Sequence, residues 1–251
     1  MKGEWLEDLT WPEAGRRLEE GRHVVVPIGA RAKEHGHHLP LKTDFMLARA
    51  LCDGIAAELP VLVAPVVDFG YYPAFTAYPG SQHLKAETFM ALLTEVIEPF
   101  ILHGARAISI VNTGVSTEGP VEIVVRELQA RHGMRIAVAH IRRLGAAGES
   151  LLGQKFGGHA DEHETSLILA IDAAAVRMDR ARQDYGHAAE EPDTVFYRPT
   201  RFSGDQQSPG YSETGARGDP TLATAEKGRA ILAAQVSDLV SGLRKLDPVL
   251  A

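Results

Sequence analysis

The sequence predicts an α/β protein, specifically a three-layer α/β/α sandwich with a mostly parallel central sheet. Short β-branched runs that are apolar on both faces alternate with helical patterns, as a parallel sheet covered on both sides requires. At 251 residues and 45% hydrophobic composition the chain can build one sizeable core. The loops richest in polar and aromatic side chains all follow strands, where open parallel sheets place their ligands.

Taken in order, residues 1–20 are charged and amphipathic, with no apolar core ahead of a small-residue cleavage site, so a cytoplasmic protein without a secretory signal is expected. The run 23–30 (HVVVPIGA) reads as the first strand and 44–59 as a helix. That helix carries the single cysteine, Cys52, in an apolar run with Ala48, Leu51 and Ile55, which predicts a packed and inert thiol. A second strand is predicted at 61–69, a helix at 85–103, a third strand at 107–112, a helix at 118–132 and a fourth strand at 135–141. The apolar run LILAI after residue 166 continues a further helix. Residues 200–220 form a polar, Gly- and Pro-rich stretch of a length that predicts a lid, a subunit contact or disorder, in that order, and a last helix is expected at 224–243. No linker, repeat or apolar stretch long enough for a membrane span interrupts this pattern, so a single domain, 1–251, is expected.

A net charge of -7 argues against a nucleic-acid surface, which needs a concentrated basic face. The eleven histidines point elsewhere, because they cluster. Residues 33–44 (KEHGHHLPLKTD) gather a carboxylate, three imidazoles and a second carboxylate in one turn after the first strand. Such a donor mixture suits zinc, manganese or iron, with Asp44 placed to bridge two ions; the alternative is a solvated polar loop. A second cluster, 157–166 (GGHADEHETS), puts His159 and His163 four apart. On a continuous helix they share a face with Glu162 beside them and Glu164 turned away, and they match the H-x-x-E-H pattern of zinc metallopeptidases. Alternatively, Asp161, Glu162 and Glu164 simply place favourable charge at a helix N-terminus.

The blocks PIGARAKEHGHHLPLKTD, YPGS, NTG, GGHADEHETS and GDPTLAT, in that order from about residue 9 to 232, resemble the creatininase family. The resemblance implies a three-layer α/β/α fold, usually a homohexamer, with two divalent ions held by a Glu, a His, a bridging Asp and a second His–Glu pair. His35 matches the first ligand histidine and Asp44 the bridging aspartate. Lys33 stands in the position of the ligand glutamate, with Glu34 next to it; a one-residue bulge over 31–33 brings the Glu34 carboxylate to the metal. Gly114 stands where the family has its second ligand histidine, and Ser116 where creatininase itself has a glutamate. One or two ions of zinc, manganese or iron are therefore implied, held by Glu34, His35, Asp44 and Glu164. Glu164 matches the glutamate of the E-T-S block, and His159 a histidine that contacts substrate and shuttles protons, so His159 and Glu164 are the implied catalytic pair. His38 reads as a structural histidine.

The function this implies is hydrolysis of a small polar, cyclic carbonyl substrate by a metal-activated water, with amide C–N cleavage or ring opening. Tyr72, Tyr78, Ser81, Thr113 and His37 are the candidate substrate contacts. The family member acting on creatinine closes tryptophans over the ring, whereas the two tryptophans here, Trp5 and Trp11, lie far upstream of the motifs. Three other readings stay open: a ring-opening C–C hydrolase of a cyclic polyol ketone, a zinc metallopeptidase using His159, Glu162 and His163, and a non-catalytic protein of the same fold. The segment YSETGARGDP resembles a family loop near subunit contacts, so a homo-oligomer is expected, with a small molecule as the other partner and neither nucleic acid nor membrane.

Overall fold

A computed structural model describes residues 2–185, 195, 205–207 and 211–250. Five strands, β1 (Glu4–Trp5), β2 (Val24–Ile28), β3 (Leu62–Val63), β4 (Ile108–Asn112) and β5 (Ala137–His140), form one sheet in the order β1-β3-β2-β4-β5. Every pairing is parallel. The helices are α1 (Trp11–Glu19), α2 (Thr43–Glu58), α3 (Ala86–Leu102), α4 (Glu118–His132), α5 (Ala146–Glu149), α6 (Glu162–Ile171) and α7 (Ala225–Leu246).

The layers follow from the two-residue period of β2, all of whose residues are buried. Val24, Val26 and Ile28 join one core with Leu18 of α1, Phe89 and Leu93 of α3 and Val121 and Val124 of α4. Val25, pointing the other way, joins a second core with Leu51, Cys52 and Ile55 of α2 and Ile231, Leu239 and Leu243 of α7. Each fully buried side chain of this size stabilises by about 1.5–3 kcal/mol relative to its exposed form. This is the three-layer sandwich expected from the alternation of strands and helices. Cys52 has no exposed surface, and burial raises its thiol pKa far above the ordinary value, as the inert reading requires.

Two elements depart from expectation. The run 61–69 is not one strand: ladder pairing covers Leu62–Val63, and Val67 makes a single bridge to Ile28. Pro65 interrupts it, having no N–H to donate. Helix α1 was not anticipated, yet Thr10 and Glu13 close a capping box around its start, with Pro12 in the first turn. Helices α6 and α7 pack closely because of Gly228, where an added Cβ would fall 1.8 Å from the Ser166 carbonyl oxygen. Within 200–220, residues 200–204 and 208–210 lie outside the described residues; further on, Arg217 pairs with His159 and Gly218 with Asp184. Among the described residues no helix is long and apolar enough to cross a membrane.

Candidate metal centre

Strand β2 ends at Ile28, and the chain returns to the sheet's carboxyl edge through residues 29–42 before entering α2. Lys33, Glu34 and His35 are buried on this return. Asp44 follows in the first turn of α2, an end of the helix that favours negative charge. From the other side, Asp161 caps α6 by accepting the Glu164 N–H at 3.0 Å, so Glu164 also sits in a first helical turn. Ala160 adopts a left-handed φ of 46°, and His159, held by its pairing with Arg217, turns inward toward His35.

The two histidines are oriented alike. His35 Nδ1 lies 2.9 Å from the Lys33 carbonyl oxygen, which can only accept, so Nδ1 carries the proton. Its Nε2 then faces Asp44 Oδ1 at 3.0 Å. His159 Nε2 donates to the Glu34 carbonyl at 2.9 Å, with Glu34 Oε2 at 3.1 Å, leaving Nδ1 turned to Glu164 Oε2 at 3.9 Å. Each ring thus commits one N–H to a backbone carbonyl and presents its other nitrogen to a carboxylate. A neutral imidazole lone pair set against a carboxylate is repulsive unless a proton or a cation lies between them. Fixing one nitrogen on a carbonyl is also how ligating histidines are held for a metal.

One donor atom from each of His35, His159 and Glu164 lies within 4.8 Å of the other two. Donors on a tetrahedral ion stand about 3.4 Å apart, so small side-chain movements gather this set. The two rings are 4.8 Å apart, and Phe75 packs on His159 at 4.6 Å, closing the apolar side.

Charge in the centre is tightly paired. Lys33 Nζ, buried, lies 2.8 Å from Asp44 Oδ2. Burial works against the ammonium, but Asp44, then Glu164 and Glu34, outweigh it and hold the Lys33 pKa above the ordinary lysine value. Burial likewise opposes ionisation of Asp44; Lys33 and His35 overcome it and keep that carboxyl well below the usual carboxylate range. The same contest, won by Asp44, raises His35, and His35 and His159 lower Glu164. His38 stands apart: its Nε2 meets Thr165 Oγ1 at 2.8 Å, and burial lowers its pKa to about 4.

The structure therefore brings His35, Asp44, His159 and Glu164 together. Glu34 adjoins them through His159, with its Oε1 accepting the Gly36 N–H, rather than standing among the three donors. His37 is exposed. The polar groups of four expected substrate contacts are held by backbone: Tyr72 donates to the Gln82 carbonyl, Tyr78 to the Ser212 carbonyl at 2.8 Å, Thr113 to the Ile28 carbonyl at 3.0 Å, and Ser81 accepts the Glu34 N–H at 2.9 Å. They brace the loops around the centre.

The H-x-x-E-H reading is corrected by where α6 begins. The helix starts at Glu162, so His159 precedes it and does not share a helical face with His163. Glu162 points away: its carboxylate takes the N–H groups of Gly153 and Gln154, both at 2.8 Å, and the Lys227 ammonium. It is Glu164 that faces His159, and His163 lies by Gln235. Nor does the 112–117 loop offer a ligand at Gly114. Asn112 closes it, accepting from Gly114 N at 3.1 Å and Thr117 Oγ1 at 2.7 Å and donating to the Gly114 carbonyl at 2.8 Å. A cleft lined by Lys33, Asp44, Tyr72, Gly114, Ser116 and Thr117 opens there. Trp5 is buried in the second core and Trp11 is on the surface, so neither tryptophan serves the centre. Sequence reasoning placed Phe75 among the aromatics that line the pocket, and noted Lys33 in the position of the ligand glutamate but gave it no role of its own.

A family model described as "Creatininase: Creatinine amidohydrolase" matches residues 7–243. The chain is 27% identical to the creatinine amidohydrolase of Pseudomonas putida, over 98% of each chain. It is 31% identical to the mycofactocin precursor peptide peptidase of Mycobacterium tuberculosis, over 90% of this chain and 86% of that one. Among solved structures, a creatininase with Mn superposes with a TM-score of 0.82 at 24% identity, over 98% of this chain and 100% of the other. A variant creatininase of Zn-Zn type gives 0.82 at 24%, over 99% and 100%.

Proposed function

The chain belongs to the creatininase family, and from that premise we propose that it is a metal-dependent amidohydrolase acting at the centre formed by His35, Asp44, His159 and Glu164. The observation that carries the proposal is the matched pair of imidazoles, each fixed on a carbonyl and turned toward a carboxylate. In it, His35, His159 and Glu164 would hold a divalent ion, and Asp44 Oδ1 lies 3.0 Å from His35 Nε2. Such an ion supplies a water of pKa near 7 and polarises a carbonyl oxygen. The chain's own residues do the rest: the Lys33 and Glu34 carbonyls lock the ring orientations, and Phe75 covers the His159 face. Glu34, whose Oε1 accepts the Gly36 N–H and whose Oε2 lies 3.1 Å from His159 Nε2, braces that ring on the side away from the ion, so His159 is a ligand in this reading and not the proton shuttle that the resemblance implied.

The relatives' names, a creatinine amidohydrolase and a peptide peptidase, both denote cleavage of a C–N bond at a carbonyl carbon. That shared chemistry favours amide hydrolysis over C–C cleavage, with a small polar, cyclic amide as the substrate class. The same reading takes the chain as one domain, 1–251, in a cytoplasmic homo-oligomer, hexameric by family resemblance; light scattering that gives a stable monomer rejects the assembly.

The function is tested by stripping the purified protein with a chelator, restoring it with Mn²⁺ or Zn²⁺, and following hydrolysis of creatinine, a lactam and hydantoin panel and short peptides. Metal-dependent amide release from at least one class is expected. A protein that takes up no divalent ion and cleaves none of them overturns the assignment.

A further inference from the structure

Asp44 presents its two carboxylate oxygens to two different partners. Oδ1 faces His35 Nε2 at 3.0 Å, on the side of His159 and Glu164. Oδ2 has a different partner, the Lys33 ammonium at 2.8 Å, and both residues line the cleft. Both side chains are almost wholly buried, 9% and 3% exposed, so this contact is a part of the interior and not a loose surface pair. The ammonium is also held in place, with the Phe75 ring 4.9 Å away on its apolar side.

Among the described residues, the cleft that Lys33 and Asp44 line holds no histidine, cysteine or further carboxylate. The nearby turn is closed on itself by Asn112 and Thr117, and its positions that line the cleft are Gly114, Ser116 and Thr117. An added Cβ at Gly114 would fall 2.8 Å from Thr117 Oγ1, so the turn is fitted to a residue without a side chain. A fixed positive charge beside Asp44 and, among the described residues, a cleft lining without further His, Cys or carboxylate donors occur together.

We propose that Lys33 is a built-in replacement for a second metal ion: its ammonium neutralises the outer oxygen of Asp44, and the centre accepts a single divalent ion on the His35 side. Lys33 is thus a positioning residue, and the space beside Gly114 and Ser116 is left to substrate. The inference rests on the hydrolase reading only in assuming that the first ion binds.

The test counts ions in the full-length protein. After chelation and dialysis against Mn²⁺, the wild type binds one equivalent per chain by elemental analysis and gives the six-line electron paramagnetic resonance spectrum of an isolated Mn²⁺. Two equivalents, or the spectrum of an exchange-coupled pair, overturn the inference and leave the hydrolase reading intact; no bound ion overturns both. Lys33→Gln supplies the sign. If the lysine stands in for a cation, its removal relieves repulsion and leaves Asp44 unneutralised, so Mn²⁺ binding tightens at least tenfold or a second equivalent appears. Were Lys33 only a strut for the loop, its loss would weaken Mn²⁺ binding, and that result rejects the proposal. Should the variant fail to fold, the wild-type count and spectrum still decide.

Discussion

Replacing Asp44 by Asn in the metal-free protein isolates the ion pair at the heart of the centre. The amide keeps the shape of the carboxylate but removes its charge, leaving the Lys33 ammonium buried 7% exposed with its nearest counter-charge gone. Breaking one side of a buried pair costs about 3–5 kcal/mol. Glu164 and Glu34 still act on the ammonium, which places the expected loss near the lower bound, about 3 kcal/mol. For a chain of this length that corresponds to a fall in Tm of roughly 6–12 °C. Urea unfolding of chelator-treated protein measures it. The double variant Lys33→Met with Asp44→Asn removes both charges and recovers about half or more of the loss, because two apolar or neutral groups of similar volume replace a buried pair at little cost. A single variant within about 0.5 kcal/mol of wild type, or a double variant that is simply additive, refutes the pairing.

Protonation of His38 provides a pH test. Its folded pKa of about 4 lies below the unfolded value, so as pH falls from about 6.5 toward 4 the unfolded chain takes up a proton that the folded chain refuses. Stability fully present above pH 6.5 is lost across that window, on the order of 3 kcal/mol, and an NMR titration showing His38 protonated at pH 6 contradicts this. Gly228→Ala forces a methyl group onto the Ser166 carbonyl between α6 and α7, and a loss of about 1–3 kcal/mol or more is expected from denaturant unfolding; a neutral result rejects that contact. Tyr78→Phe removes one hydrogen bond to the Ser212 carbonyl and is expected to cost about 1 kcal/mol of stability with kcat/KM within about twofold of wild type. A large rise in KM instead assigns that hydroxyl to the substrate.

Much of the architecture was legible because it is written in periodicity. The run VVVPI, apolar on both faces, could only be a buried strand, and 118–132 appears as the helix expected. What escaped were features decided by single residues or by pairing. Pro65 breaks the second strand, although the surrounding valines read as continuous. Helix α1 announced itself through Thr10, Pro12 and Glu13, a capping signal that composition alone obscures. Two-residue β1 exists only through its pairing with β3. At the centre, the family blocks pointed to His35, Asp44, His159 and Glu164, but spacing misjudged the surroundings of the last two. Asp161 caps the helix and sets its start, and this turns Glu164 toward His159 and Glu162 toward Lys227. Whether Lys33 faces Asp44 or solvent is likewise a matter of how the return loop folds, which no local pattern encodes.

The most direct measurement is a crystal structure of the Mn- or Zn-loaded protein with anomalous differences recorded at the metal edge. A peak bonded to His35 Nε2 and His159 Nδ1, with Glu164 in its coordination shell and Lys33 still paired with Asp44, is the predicted result. A peak on Glu162 and His163, or no peak within coordinating distance of His35, contradicts it.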